Sequence, residues 1–286
     1  MNLTRTLNNA KILGLLTGMT GLFIAAGFLI GGTTGMIIGL FFAGIMNFGS
    51  YWYSDRIVLK MYNAEKVKPD ERSQLYTSVE QLAENADIPM PDLYISDMNA
   101  PNAFATGRNP EHGVVCITQG LLRNLETDEI EAVVAHELAH IKNRDTLINA
   151  VVATIAGSIA VIAELVFWSA LFAGRDQEGE LLSAMAFMIL TPLIATVIRM
   201  SISRKMEFRA DSDAVKIHGQ REGLSNALRK ISSANERQRR GHNSKVQEAG
   251  SNMFIYNPFA SDKFTKLFST HPDLDSRLEN IEASSL

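Results

Sequence analysis

The sequence predicts an α+β chain, mostly α-helical, in which four transmembrane helices accompany a soluble part with a small β-sheet. Three observations carry this. The apolar residues of the 286-residue chain fall in long blocks instead of being spread through it as a soluble core requires. The stretches between the blocks have soluble composition, with helix periodicity and a few short strand signals. Near the middle, His136-Glu137-Leu138-Ala139-His140 sets two imidazoles one turn apart on one face of a helix, beside a charged tail that runs to Asp145.

From Ile12 to Tyr53 there is no charged residue, a run about twice the roughly 20 residues one span needs. It reads as spans Ile12 to Ile30 and Met36 to Tyr53, broken by Gly31-Gly32-Thr33-Thr34-Gly35, with Asn47, Tyr51, Trp52 and Tyr53 marking an interfacial end. A cleaved signal peptide is disfavoured, because no small-x-small cleavage site follows and a second apolar stretch does. Leu147 to Ala173 and Leu181 to Met200 are again apolar and long enough to span, and Pro192 predicts a kink in the second. The connector Gly174 to Glu180 holds Arg175 against Asp176, Glu178 and Glu180. The opposite flanks hold Arg5, Lys11, Arg56, Lys60, Lys142, Arg144, Arg199, Arg204 and Lys205. The positive-inside rule therefore places both termini and the soluble parts in the cytoplasm. The domains that follow are 1–53 (two spans), 54–146 (soluble, with the histidine helix), 147–200 (a membrane hairpin) and 201–286 (soluble again). Glu164 sits inside the third span and is a candidate functional carboxylate on that ground alone.

In the soluble part, Asp70 to Asp87 is patterned as a helix and Leu93-Tyr94-Ile95 as a short strand. Ala103 to Thr106 and Val114 to Thr118 form a hairpin across the turn Gly107 to Gly113. Helices follow at Gly120 to Asn124 and Thr127 to Arg144, the latter capped by Thr127 with Glu129 and Glu131 near its positive end. Beyond the fourth span come helices Arg204 to Ile217 and Glu222 to Glu236, a polar loop Arg237 to Gly250, and a last helix that begins near Thr270-His271-Pro272-Asp273. The net charge of −4 leaves no basic stripe for nucleic acid. A lone Cys116 excludes an intrachain disulfide and reads as a small buried strand residue.

Two histidines at this spacing reach one Zn²⁺, and a catalytic site needs a third protein ligand and an open position. A metzincin would have glycine at 143 and histidine at 146. Asn143 and Thr146 stand there, so the third ligand comes from elsewhere. The histidine helix reaches the third span within about seven residues, roughly 10 Å at 1.5 Å per residue, so the site lies near the cytoplasmic membrane face. The fourth span returns to that face at Arg204-Lys205-Met206-Glu207-Phe208-Arg209-Ala210-Asp211. Glu207 is then the third ligand. Asp211 takes the free N–H of a ligating imidazole, with Arg204 on the same face. This ligand set predicts a zincin-like domain of the gluzincin kind. Glu137 is the general base of a hydrolase, taking a proton from water and passing it to the leaving amine. Val114, Val115 and Cys116 on an edge strand would pair with an extended substrate, and Asn102, Ala103, Phe104 and Ala105 form the alternative edge. His271 is a candidate donor to a developing oxyanion.

Pro101 to Gly107, His136 to Asp145, Arg204 to Asp211 and Ser269-Thr270-His271-Pro272 together resemble the HtpX family of bacterial inner-membrane zinc metalloproteases, heat-shock proteases related to the CAAX-prenyl endopeptidases. The resemblance covers nearly the whole chain, and no matching position departs from the pattern. It implies one Zn²⁺ per chain on His136, His140 and Glu207, with Glu137 catalytic. It also implies a multi-pass protein of the inner membrane that serves stress response and protein quality control, cutting misfolded or damaged membrane proteins on the cytoplasmic side. Two rivals are weaker. An intramembrane site would bring Glu129, Glu131, Lys142, Arg144 and Asp145 into the bilayer at about 2.5–3.5 kcal/mol each. A non-catalytic scaffold gives Glu137 no task.

Overall fold

The structure is a computed structural model and describes residues 3–172, 204–241 and 272–285. The chain divides into two units, Met1–Tyr53 with Ile148–Ser201, and Ser54–Leu147 with Ile202–Leu286.

In the first unit, helix α1 runs Leu3–Trp52, but Gly31 (φ −141°, ψ 22°) and Gly32 (φ 57°, ψ −142°) leave helical geometry. Two helices result, Thr6–Phe28 and Gly31–Trp52, of 23 and 22 residues, each long and apolar enough to cross a membrane. They pack at glycines: a Cβ on Gly27 would lie 2.1 Å from the Gly35 carbonyl oxygen, and one on Gly39 would lie 2.2 Å from that of Phe23. Asn47, expected at an interfacial end, donates from Nδ2 to Thr20 Oγ1 at 2.9 Å across the pair. Ile37, Ile38, Phe41, Phe42, Ile45 and Phe48 stay exposed, an apolar surface suited to lipid. The expected third span, Leu147 to Ala173, falls on a helix Asp145–Phe172, its last residue lying outside the described ones. Its apolar run, as described, is Asp145–Ile159, shorter than a span. Glu164 is exposed on this helix. The expected fourth span with Pro192, and the connector before it, lie outside the described residues.

The second unit holds a four-stranded mixed sheet covered on both faces. A helix the sequence did not announce, α2 (Ser54–Met61), leads into an equally unannounced strand β1 (Ala64–Lys66), and α3 (Ser73–Asn85) follows. Next come β2 (Asp92–Ser96), β3 (Ala103–Thr106) and β4 (Val114–Thr118). The strand order is β1-β2-β4-β3. The expected hairpin of β3 and β4 is present, with Ala103 opposite Ile117 and Thr106 opposite Val114.

The expectation that Val114, Val115 and Cys116 form an edge is wrong. β4 is an inner strand, because β2 pairs with it in parallel from Asp92–Val114 to Ser96–Thr118, and all its residues are buried. Val115 and Ile117 enter one core, while Val114 and Cys116 pack with Leu59, Tyr62 and Phe104 on the other face. The unbroken run Val114-Val115-Cys116-Ile117 is the pattern of a strand covered on both faces. Burial pushes the Cys116 thiol up to about 12, so almost none is thiolate at neutral pH and the residue is not a nucleophile. β3 is the edge next to the central helix. Ala103 and Ala105 face that helix, and the Phe104 ring packs at a tilt against Tyr62 with ring centroids 4.6 Å apart.

The remaining elements are α4 (Gln119–Asn124), α5 (Thr127–Asn143), α6 (Asp145–Phe172), α7 (204–218), α8 (Glu222–Gly241) and α9 (Leu274–Ala283). α8 thus runs through Arg237, Arg239 and Arg240, which the sequence assigned to a loop; 242–250 lie outside the described residues. The N-cap of α5 also differs from expectation. Glu126, not Thr127, caps α5, and its N–H donates to Glu129 Oε2 at 2.9 Å. Asp273 caps α9, accepting from the Ser276 N–H at 2.9 Å.

α5 is the centre of this unit. Val133, Val134, Leu138 and Ile141 are almost fully buried against Val79 and Leu82 of α3, Val115 and Ile117 of β4, Val215 of α7, Leu228 and Ile231 of α8, and Ile281 of α9. Residues 132–141 of α5 are buried without a break, and a helix segment enclosed on every side needs no polar face, so the polar residues within it are there for other reasons.

Candidate metal centre

Those polar residues are His136, Glu137 and His140, 2%, 5% and 8% exposed. Helical spacing stacks the two imidazoles, and His136 Nε2 lies 3.2 Å from His140 Nε2. α7 brings Glu207 against both, with Oε2 3.6 Å from His136 Nε2 and Oε1 3.5 Å from His140 Nε2. Tetrahedral Zn²⁺ with bonds of about 2.0–2.1 Å sets its ligand atoms about 3.3–3.4 Å apart, close to these separations. Burying three such groups edge to edge is costly without a cation among them. The donor set therefore fits a metal ion of the zinc kind.

Each imidazole is held from behind by a carboxylate, and each carboxylate by an arginine. His136 Nδ1 lies 3.0 Å from Asp211 Oδ1. Arg277 on α9 donates to Asp211 through Nη2 at 2.6 Å and Nε at 3.0 Å, and its Nη1 stands 3.6 Å from Glu207 Oε2. His140 Nδ1 lies 3.1 Å from Asp145 Oδ2, and Arg209 Nη2 donates to Asp145 Oδ1. Asp145 reaches back to His140 because Arg144 takes a left-handed conformation (φ 60°) between α5 and α6, a geometry costing about 1–2 kcal/mol in a non-glycine residue. Turning Nδ1 toward a carboxylate leaves Nε2 facing the centre on both rings.

The titration behaviour follows the same charges. Burial alone would lower both histidine pKa values. Asp211 and Glu207 raise that of His136 instead, and Asp145 and Glu207 lift that of His140 well above the usual imidazole range. Burial would raise the Asp211 pKa, but Arg277 holds it below the ordinary carboxylate value. A pocket that draws a proton onto buried imidazoles draws a divalent cation to the same nitrogens.

Sequence and structure thus place His136, Glu137, His140, Glu207 and Asp211 together. Arg204, expected beside Asp211, is exposed at the start of α7, and the buried guanidinium on Asp211 belongs to Arg277. Asn102 is buried just before β3, its N–H donating to Thr118 Oγ1 at 2.9 Å. Phe104, Val114, Val115 and Cys116 are core side chains and not reading groups. His271 lies outside the described residues. Asp145, Arg209 and Arg277 were not anticipated.

A family profile described as Peptidase family M48 matches residues 69–285. The chain is 43% identical over 283 residues to a protease HtpX homolog of Desulforapulum autotrophicum, covering 97% of this chain and 90% of the relative. It is 45% identical over 280 residues to protease HtpX of Legionella pneumophila (strain Lens), covering 97% and 99%. Among solved structures it is similar to S. mikatae Ste24p, with a TM-score of 0.56 and 20% identity, covering 97% of this chain and 65% of that one, just under two thirds. That likeness speaks to the fold.

Proposed function

This chain belongs to peptidase family M48 and is a metalloendopeptidase, and from that premise we propose that it is a membrane-integrated zinc enzyme that cuts misfolded or damaged membrane proteins at the cytoplasmic face. The observation that carries the reading is the convergence of His136, His140 and Glu207 beside the buried Glu137. These three residues would hold one Zn²⁺. When bound, it supplies Lewis acidity, lowering the pKa of water and polarising a carbonyl.

The chain's own groups do the rest. Glu137, next to a ligand but not one itself, takes the proton of the attacking water and returns it to the leaving amine. Asp211 and Asp145 fix the imidazole tautomers, and Arg277 holds Asp211 below the ordinary carboxylate range and stands 3.6 Å from Glu207. Among the described residues β3, Ala103–Thr106, pairs on one side with β4 and is an edge strand, which would offer main-chain hydrogen bonds to an extended polypeptide. Backbone pairing of that kind reads few side chains, which suits damaged proteins of unrelated sequence. Asn102, conformationally tied to Thr118, sets the start of that edge. His271 is the proposed donor to the oxyanion.

The cytoplasmic orientation rests on the charge asymmetry of the spans' flanks, and the reading includes four spans in a bacterial inner membrane, with the bilayer itself as a partner. The test is hydrolysis of an unfolded polypeptide by the full-length protein in detergent. Activity is expected to fall to background after chelation and return on adding zinc. Undiminished activity in protein shown by metal analysis to be metal-free overturns the reading.

A further inference from the structure

A second group of donors lies two turns before His136. Asp128 and Glu131 are one turn apart near the start of α5, and His218 is the last residue of α7. One donor atom from each lies within 4.8 Å of the others. The His218 side chain is only 5% exposed, its Nε2 is 3.3 Å from Asp128 Oδ1, and its buried Nδ1 has no hydrogen-bond partner. Glu131 Oε1 accepts a 2.5 Å hydrogen bond from Ser78 Oγ on α3, which fixes that carboxylate.

Two further observations point to a cation. A Cβ on Gly223 would lie 2.8 Å from Asp128 Oδ2 and 3.0 Å from His218 Cε1, so the absence of a side chain there keeps room for the two to meet. Lys230, the cation on the neighbouring face of α8, is committed to Glu129 at 2.8 Å. Among the described residues, the carboxylates of Asp128 and Glu131 gather with one imidazole, that of His218. α7 also ends here, at Gly219 (φ 85°), and the negative end of a helix favours positive charge.

We propose that Asp128, Glu131 and His218 form a second divalent-cation site, one that fastens the start of α5 to the end of α7. An imidazole with two carboxylates suits Zn²⁺ and its transition-metal neighbours, whereas Ca²⁺ and Mg²⁺ take oxygen ligands. The Asp128 side chain is 51% exposed, so water completes the coordination and binding is weaker than at the buried centre. The consequence is mechanical. α5 carries His136 and His140 and α7 carries Glu207, so a cation at their far ends holds the two helices in register.

The test uses full-length protein in detergent and zinc as the probe, counted by equilibrium dialysis with metal analysis. In a His140→Ala background, which removes the buried centre, one zinc equivalent is expected to remain at micromolar free zinc. Adding His218→Gln or Asp128→Asn is expected to weaken it by at least about tenfold, and excess calcium is expected to leave it in place. Absence of zinc from the His140→Ala protein, survival of the equivalent through both added substitutions, or its displacement by calcium overturns the proposal. Should His140→Ala fail to fold, the count is made without it: two equivalents in the unaltered protein and one in Asp128→Asn support the site, and equal counts in the two overturn it.

Discussion

Glu137→Gln is expected to lower kcat/KM for polypeptide cleavage by about 10²–10⁴-fold, the range of a positioned general base, while leaving zinc content and thermal midpoint unchanged. The amide keeps the size of the side chain and loses its ability to accept a proton at neutral pH. It is not among the three groups whose donor atoms converge, so removing its charge takes no ligand away. Glu137 does stabilise the Arg277 charge, but behind Asp211 and Glu207, so the buried guanidinium remains paired in the variant. Cleavage of an unfolded membrane protein, measured beside metal analysis of the same preparations, separates chemistry from folding. Equal turnover by the two proteins would remove Glu137 from the reaction.

Glu207→Gln is expected to act on the other half of the site. The amide fills the same space at the start of the α7 contact with α5, so the fold is retained, but a neutral oxygen is a poor partner for Zn²⁺. Zinc affinity is expected to fall by more than about 100-fold, beyond the 10–100-fold typical of a residue that only orients a ligand. Glu207→Ala should lose the metal as well and should also destabilise the protein, because Arg277, 2% exposed, loses one of the carboxylates that balance its buried charge. Competition of each purified variant against a zinc chelator checks this. Stoichiometric zinc with unaltered affinity in Glu207→Gln would move the third ligand elsewhere.

The chemistry of the centre was readable in the sequence because helical spacing is local. His136 and His140 had to share a face, as did Glu207 and Asp211. The edge strand was not readable in the same way, since its identity depends on β2 pairing in parallel with β4 across the β3 hairpin, a non-local choice. The continuous apolar run of β4 carried a clue to its inner position. Arg277 lies 66 residues from the aspartate it binds, and only the fold brings them together. It did leave a trace: Leu274, Arg277, Leu278 and Ile281 occupy i, i+3, i+4 and i+7, so an arginine sits on the apolar stripe of α9, where a charge needs a partner. Asp145 stood in plain view after the motif, but its link to His140 requires the left-handed Arg144, which sequence does not announce at a non-glycine residue. Arg204 has the spacing of a partner for Glu207 and Asp211, yet it falls at the exposed start of α7, beyond the core.

The central claim is that His136, His140 and Glu207 together hold one zinc ion, and zinc K-edge X-ray absorption on the purified full-length protein, loaded with a single equivalent, tests it most directly. The account predicts a first shell of nitrogen and oxygen at about 2.0–2.1 Å, with the outer-shell scattering of two imidazoles and no sulfur. A spectrum with a zinc–sulfur distance near 2.3 Å, or with fewer than two imidazoles, would contradict it.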